Sequence, residues 1–376
     1  MINSPNSMNL YIHLGIHENP YAGMFQYGRA LIDGLREIAP TIKVAGAIVT
    51  SDERITDELH DANLQTLYIK KPKIWRQLYA FCEPFLSVPR ERADIIHGVS
   101  NFVPLRARGK KVVTIHDLIQ AYPVETPRDL WRRGYVGLRS ALYRTTFAAS
   151  GRTVDRILTI HQTQKKLIEE TLSPRCPVEV AYTPIPKEFL VALPKDIKRK
   201  PRSVVLLASR DLRKNIQKGA KVLAACGQDL SSVTVVLANK GLLGWARSLQ
   251  WPKGISVDFV CEPTHNDLAR IFLATELLLF PSIAEGLGLP IFQAIMTGTK
   301  VVCFEEFLVP EIAPFVGTGI VSCDPHSEES LGAAVKKAFL TSVTGQEFSS
   351  YAELVRKHFS AKALATKVHK IYGELL

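Results

Sequence analysis

The stretch FPSIAEGLGLPIFQA, Phe280 to Ala294, reads as the end of a strand, a glycine loop and the start of a helix. It continues the apolar run ATELLLF, Ala274 to Phe280, whose length and composition predict a strand buried on both faces. Gly286 and Gly288 let the backbone turn tightly toward a ligand. Pro290 stands where proline is best tolerated, in the first helical turn. The arrangement leaves backbone N–H groups and a positive helix end aimed at whatever fills the loop, with the carboxylate of Glu285 beside it. It suits a phosphate joined to a group rich in hydroxyls.

The same alternation of short apolar strands and helical patterns runs along most of the chain, the signature of parallel sheets covered by helices. Strands are predicted at Leu10–Leu14, Val44–Val49, Ile95–His97, Val112–Ile115, Ile157–Ile160 and Val178–Ala181 in the first half. In the second half they fall at Val204–Ala208, Val233–Leu237, Ile255–Val260, Leu277–Phe280, Val301–Phe304 and Ile320–Ser322. Each set can form one doubly wound sheet. The proline- and lysine-rich run Pro184–Arg202 reads as an exposed linker. The expected organisation is two Rossmann-like α/β domains, residues 1–190 and 191–360, facing across a cleft, with a final helix in 361–376.

A chain of 376 residues exceeds one ordinary core and fits two domains. Hydrophobic content of 46% and charge of 22% are those of a folded soluble protein. The six cysteines, at 82, 176, 226, 261, 303 and 323, include no C-x-x-C or other metal-ligand spacing, and read as core residues in a reducing compartment. With no leader pattern and no apolar run near the ~20 residues of a spanning helix, the expected location is the cytoplasm. Net charge is +11, and Lys70–Arg144 holds 15 Lys or Arg against 6 Asp or Glu. That segment is a solvated basic face, or it meets an anionic membrane, a phosphate-bearing acceptor or nucleic acid. No nucleic-acid signature supports the last.

Other segments add candidate chemistry. After Val204–Ala208 comes SRDLRKNIQKG, which delivers Arg210, Arg213 and Lys214 from a strand end, fit to neutralise a diphosphate. KKVVTIHDLIQ places His116 and Asp117 at the carboxyl end of a strand, the edge where open α/β sheets bind ligands. Gly23 precedes a helix whose Tyr27, Leu31, Leu35 and Ile38 form an apolar core stripe. His13, His17 and Glu18 lack a third ligand at a matching metal spacing. In RDLWRRGYVGLRSALYR, Trp131, Tyr135, Leu138 and Leu142 recur at helical spacing among arginines. Such a helix is buried with an arginine-rich outer face, or it lies at a lipid interface. KKPKIWR, Lys70–Arg76, repeats that mixture.

The glycine loop resembles the E-G-F-G-L-P-x-x-E signature of the retaining glycosyltransferases of family four. Its first glutamate is Glu285; its second position holds Gln293, which keeps an acceptor and loses the charge. R-K-N at 213–215 and T-I-H-D-L-I around His116 resemble further motifs of that family, and the resemblance covers nearly the whole chain. It implies the GT-B architecture, with the final helix returning to the first domain. It also implies contacts for a nucleotide-sugar donor. Lys214, Arg210, Arg213, Asn215, Gly23 and the backbone of Gly286, Leu287, Gly288 and Leu289 would serve its phosphates, Gln293 its ribose, and Glu285 and His116 its sugar.

The similarity to bacterial mannosyl- and rhamnosyltransferases implies hexose transfer from a GDP-sugar onto a glycan or polyprenyl-diphosphate-linked acceptor in surface-polysaccharide assembly, with UDP-sugars left open. The absence of a D-x-D triplet argues against a metal-dependent class, so no metal or other cofactor is expected. Gln293 keeps one alternative, a non-catalytic subunit that binds a partner or glycan; another GT-B enzyme, such as a sugar-nucleotide epimerase, is the second.

Overall fold

The computed structural model of the protein describes residues 8–17, 23–50, 55, 65–68, 93–123, 130–190, 198–305, 310–311, 313–317, 319–343 and 345–376. Glu18 and the Lys70–Arg76 segment lie outside them. The chain divides into two compact units, one of Met1–Pro184 with His358–Leu376, the other of Ile185–Lys357.

The first unit is built from β1 (Asn9–His17), α1 (Gly23–Ile38), β2 (Lys43–Thr50), β3 (Gln65–Tyr68), β4 (Ile95–Gly98), β5 (Lys110–Ile115), α2 (Leu130–Thr153), β6 (Arg156–Thr159), α3 (Gln162–Leu172) and β7 (Val178–Val180). Its strands pair in parallel in the order β3-β2-β1-β4-β5-β6-β7. The second unit comprises β8 (Lys200–Ala208), α4 (Ile216–Ala225), β9 (Ser232–Leu237), α5 (Leu243–Arg247), β10 (Ser256–Cys261), α6 (His265–Ala274), β11 (Thr275–Phe280), α7 (Leu289–Met296), β12 (Lys300–Phe304), β13 (Ile320–Cys323), α8 (Glu328–Leu340) and α9 (Gly345–His358). Its strand order is β10-β9-β8-β11-β12-β13, again parallel. Both are doubly wound Rossmann-like sheets, whose order reverses at one adjacent pair of strands, β1/β4 and β8/β11.

All twelve expected strands are present. Their apolar, β-branched runs are buried: Val204, Val205 and Leu206 of β8, and Leu277, Leu278 and Leu279 of β11, are fully enclosed. The strand that reading the sequence missed is β3, QTLY. It is four residues long, pairs only with β2 and carries no β-branched apolar run.

The run expected to be an exposed linker is partly built into the second unit. Ile185 and Phe189 are buried, and Phe189 packs on Phe272 with ring centroids 6.1 Å apart. At its other end Lys200–Arg202 opens β8. The division therefore falls after Pro184 rather than near 190.

The last helix, α10 (Ala361–Leu375), completes the first unit. It buries Leu364, Ala365, Val368, Ile371 and Tyr372 and packs against α1. Gly34 makes the approach close: a Cβ there would lie 2.6 Å from the Ala361 carbonyl oxygen and 2.7 Å from the Ala365 Cβ.

Within α2 two members of the apolar stripe read from the sequence face outward. Tyr135 is 44% and Leu138 65% exposed. Ser140, Tyr143, Thr146, Phe147 and Ser150 turn inward instead, and Phe147 stacks on Phe102 at 6.1 Å.

Candidate functional site

The loops that follow β8 and β11 meet at the carboxyl edge of the second sheet, at its switch point. The Ile283 N–H donates to the Arg213 carbonyl at 2.8 Å and ties one loop to the other. Leu212–Lys214 is a single 3₁₀ turn, capped at its start by Asp211, whose side chain accepts from the Arg213 N–H. It ends at Asn215, which adopts the left-handed conformation (φ 51°, ψ 36°) and opens α4 without a side-chain cap. Asparagine tolerates that corner better than other chiral residues.

Two cations hold Glu285, whose side chain is 9% exposed. Arg213 Nη1 donates to Oε2 at 3.0 Å and to the Ala284 carbonyl at 2.9 Å, while Arg213 Nε donates to Asp211 Oδ2 at 2.7 Å. Lys214 Nζ donates to the other oxygen, Oε1, and lies 5.5 Å from the Phe280 ring centroid. Burial by itself lowers the pKa of Arg213, but the carboxylates of Glu285 and Asp211 outweigh it and hold the pKa above its ordinary value. Arg210 is exposed and lies over Trp245, 5.8 Å from the ring centroid. Of the loop's arginines, Arg213 is therefore the one brought to Glu285.

Gly288 takes φ 75° and is the N-cap of α7; Gly286 is not in the left-handed region. Leu287 is buried, Leu289 is the first helical residue and Pro290 lies in the first turn. The Ile291 N–H turns back to the Gly288 carbonyl at 2.9 Å, whereas the N–H groups of Gly286, Leu287, Gly288 and Leu289 have no acceptor among the described residues. Gln293 is 6% exposed in the next turn. The second unit thus places a carboxylate, two cations and a set of backbone donors at the ends of two neighbouring strands.

In the first unit His116 follows β5 and is 5% exposed. Its N–H donates to Asn101 Oδ1 at 2.7 Å, and its Nε2 is 2.8 Å from the Val99 carbonyl. A carbonyl only accepts, so Nε2 carries hydrogen and donates it to Val99. The ring stands edge-on to Tyr27, centroids 4.9 Å apart. Asp117 accepts from the Ile119 N–H at 3.0 Å and shapes the loop. Gly23 is the exposed first residue of α1. His13 is buried in β1. Among the described residues, no group of three or more His, Cys, Asp or Glu is arranged to hold a metal ion.

Residues 187–355 match the family of glycosyl transferases group 1. That segment is a glycosyltransferase domain. The chain as a whole is 23% identical to the O-antigen chain mannosyltransferase B of Escherichia coli over 261 residues, 64% of each protein, so under two thirds of that relative is matched. It is 21% identical over 333 residues to the O-antigen chain mannosyltransferase RfbU of Salmonella typhimurium, covering 84% of this chain and 86% of that one. In fold it is similar to Anabaena HepE, solved in complex with UDP and glucose, with TM-score 0.67, 14% identity, and 98% and 100% of the two chains covered. The chain has the GT-B fold.

Three groups in the two units escaped the sequence. Asp211, which holds Arg213, is a turn-capping aspartate, and D-L-R ahead of a helix was the available signal. Arg199 donates to the Thr275 carbonyl at 2.9 Å, Thr299 Oγ1 at 3.0 Å and the Phe272 carbonyl at 3.2 Å, tying together the ends of α6 and α7 from a position that read as linker. The third, the buried polar chain behind Tyr27, joins side chains as distant in sequence as Tyr27 and Tyr372, and had no sequence signal.

Proposed function

We propose that the protein transfers a hexose from a nucleotide-sugar to a glycan or polyprenyl-diphosphate-linked acceptor, with retention at the anomeric carbon and without a metal. The observation that carries this reading is the clasp of Glu285 by Arg213 and Lys214 beside the free amides at the start of α7. As the bond from the anomeric carbon to the donor phosphate breaks, negative charge grows on the leaving diphosphate. Lys214, Arg213 and the loop amides are placed to meet it. The acceptor hydroxyl attacks from the face the phosphate leaves, and that phosphate takes the hydroxyl proton. Glu285 and His116 are assigned to the sugar, Gln293 to the ribose.

The names of the two O-antigen relatives support mannose and hence GDP-mannose or a related GDP-deoxyhexose. HepE, bound to UDP, favours a UDP-sugar instead. A cytoplasmic enzyme working at the inner membrane face is the matching location. The exposed Tyr135 and Leu138 of α2, flanked by Arg133, Arg139 and Arg144, support contact with anionic lipid. Among the described residues no helix is long and apolar enough to cross a membrane.

The test is calorimetric titration of wild type and Gln293→Glu with GDP and with UDP, beside turnover of Lys214→Ala. The expected results are binding of one nucleotide at least as tight in Gln293→Glu as in wild type, and loss of more than ~100-fold in turnover on removing Lys214. Silence of both proteins toward both nucleotides overturns the enzyme reading and leaves the non-catalytic subunit.

A further inference from the structure

Behind Tyr27 lies a chain of side chains that the proposed chemistry does not use. Tyr372 of α10 places its hydroxyl 2.6 Å from His97 Nδ1. His97 Nε2 is 2.8 Å from Thr114 Oγ1, which donates to the Tyr27 hydroxyl at 3.4 Å. All four residues are fully buried. The proton count runs one way: the Thr114 hydroxyl has one hydrogen and gives it to Tyr27, so it accepts from His97 Nε2–H. His97 Nδ1 is then the acceptor for the Tyr372 O–H. Burial first, and the charge of His116 second, lower the pKa of His97 to about 3, which keeps it neutral and this order of donors unbroken. The far end of the chain is the Tyr27 ring, against which His116 stands edge-on while its Nε2–H is held by Val99. Thr114 and His116 alternate on the same strand and its end, so the chain and the imidazole share one side of the sheet.

We infer that Tyr372, on the helix that ends the sequence, is a positioning residue for His116. Through His97 and Thr114 its hydroxyl fixes the Tyr27 ring and thereby the angle of the His116 ring that stands edge-on against it. The inference rests on the role proposed for His116, and its ring can be read with or without ligand.

The experiment is NMR of 15N-histidine-labelled full-length protein, with GDP-mannose turnover measured in parallel. Three variants are compared with wild type. Tyr372→Phe removes one oxygen; Thr114→Val cuts the same chain from the strand and leaves the terminal helix untouched; Thr114→Ser restores the hydroxyl. The expected result is one sharp set of His116 ring signals, the same in wild type and Thr114→Ser. Tyr372→Phe and Thr114→Val should shift and broaden those signals, with kcat lowered about tenfold and KM for the donor kept, the pattern of a lost transition-state interaction. His116 signals and kcat unchanged in both overturn the positioning role. Wild-type turnover in His116→Ala overturns instead the part given to His116 in transfer, and the ring signals then decide the positioning alone.

Discussion

Glu285 has a cation at each carboxylate oxygen, and with Asp211 the four charges of the cluster cancel. An entering diphosphate competes with Glu285 for Arg213 and Lys214. Glu285→Gln should therefore bind the free nucleoside diphosphate several-fold more tightly, about 1 kcal/mol, while transferring at least ~100-fold more slowly. Weaker nucleotide binding by the variant, measured by calorimetry, would show that Glu285 does not compete with the anion. Asn215 carries a different load, the left-handed corner between the 3₁₀ turn and α4. Asn215→Ala should lower stability by ~1 kcal/mol or more and Asn215→Gly by a few tenths, read from thermal midpoints. Equal effects of the two would mean that the side chain, not the backbone, sets this position. The motif R-K-N showed where the cations lie, but the pairing of Arg213 rather than Arg210 with Glu285 depends on the turn that Asp211 and Asn215 impose.

α2 combines two helices' tasks in one element. From Ser140 onward it packs Tyr143, Phe147 and Ser150 into the first unit; before that it presents Tyr135 and Leu138 to solvent among arginines. Phe147→Ala should cost about 3–5 kcal/mol of stability, the scale for emptying a fully buried aromatic site. Tyr135→Ser with Leu138→Ser should leave stability within about 0.5 kcal/mol. The same pair should weaken binding to phosphatidylglycerol vesicles several-fold, and binding of wild type should fall as salt rises. Cosedimentation decides it: equal binding of wild type and the double variant removes the membrane role of this face. Helical spacing disclosed one stripe of α2, Trp131–Tyr135–Leu138–Leu142, and passed over Tyr143–Phe147. Which one is buried was not legible, because Trp131–Tyr135–Leu138–Leu142 and Tyr143–Phe147 are equally good apolar faces until a sheet chooses between them.

For the molecule as a whole, acid stability carries the mark of the buried chain around His97. Its pKa falls from the ordinary 6.5 to about 3 on folding, so below pH 6.5 the unfolded state takes up a proton that the folded state refuses. The stability from a neutral His97 is complete above that pH and is lost as pH drops toward 3, at up to ~1.4 kcal/mol per unit. His97→Gln should start less stable at pH 7.5 and lose less between pH 7 and pH 5 than wild type, measured by denaturant midpoints. Parallel losses would mean that His97 is no more acid-sensitive than the rest of the protein. The first unit is also discontinuous in sequence, since α10 returns to α1 over Gly34.

Local pattern was enough for twelve strands, the two sheets they form and the loop at Glu285, because strand periodicity, apolar runs and Gly-Pro punctuation are short-range properties that packing did not override. β3 was missed since four residues at a sheet edge carry too little pattern of their own. Three further results came from chain segments meeting in space: the choice of Arg213, the inward face of α2, and the path from Tyr372 to His116. Hydrogen bonds and burial depend on distance through space, and residues hundreds of positions apart, such as His97 and Tyr372, leave no periodic trace in the sequence of the contact they make.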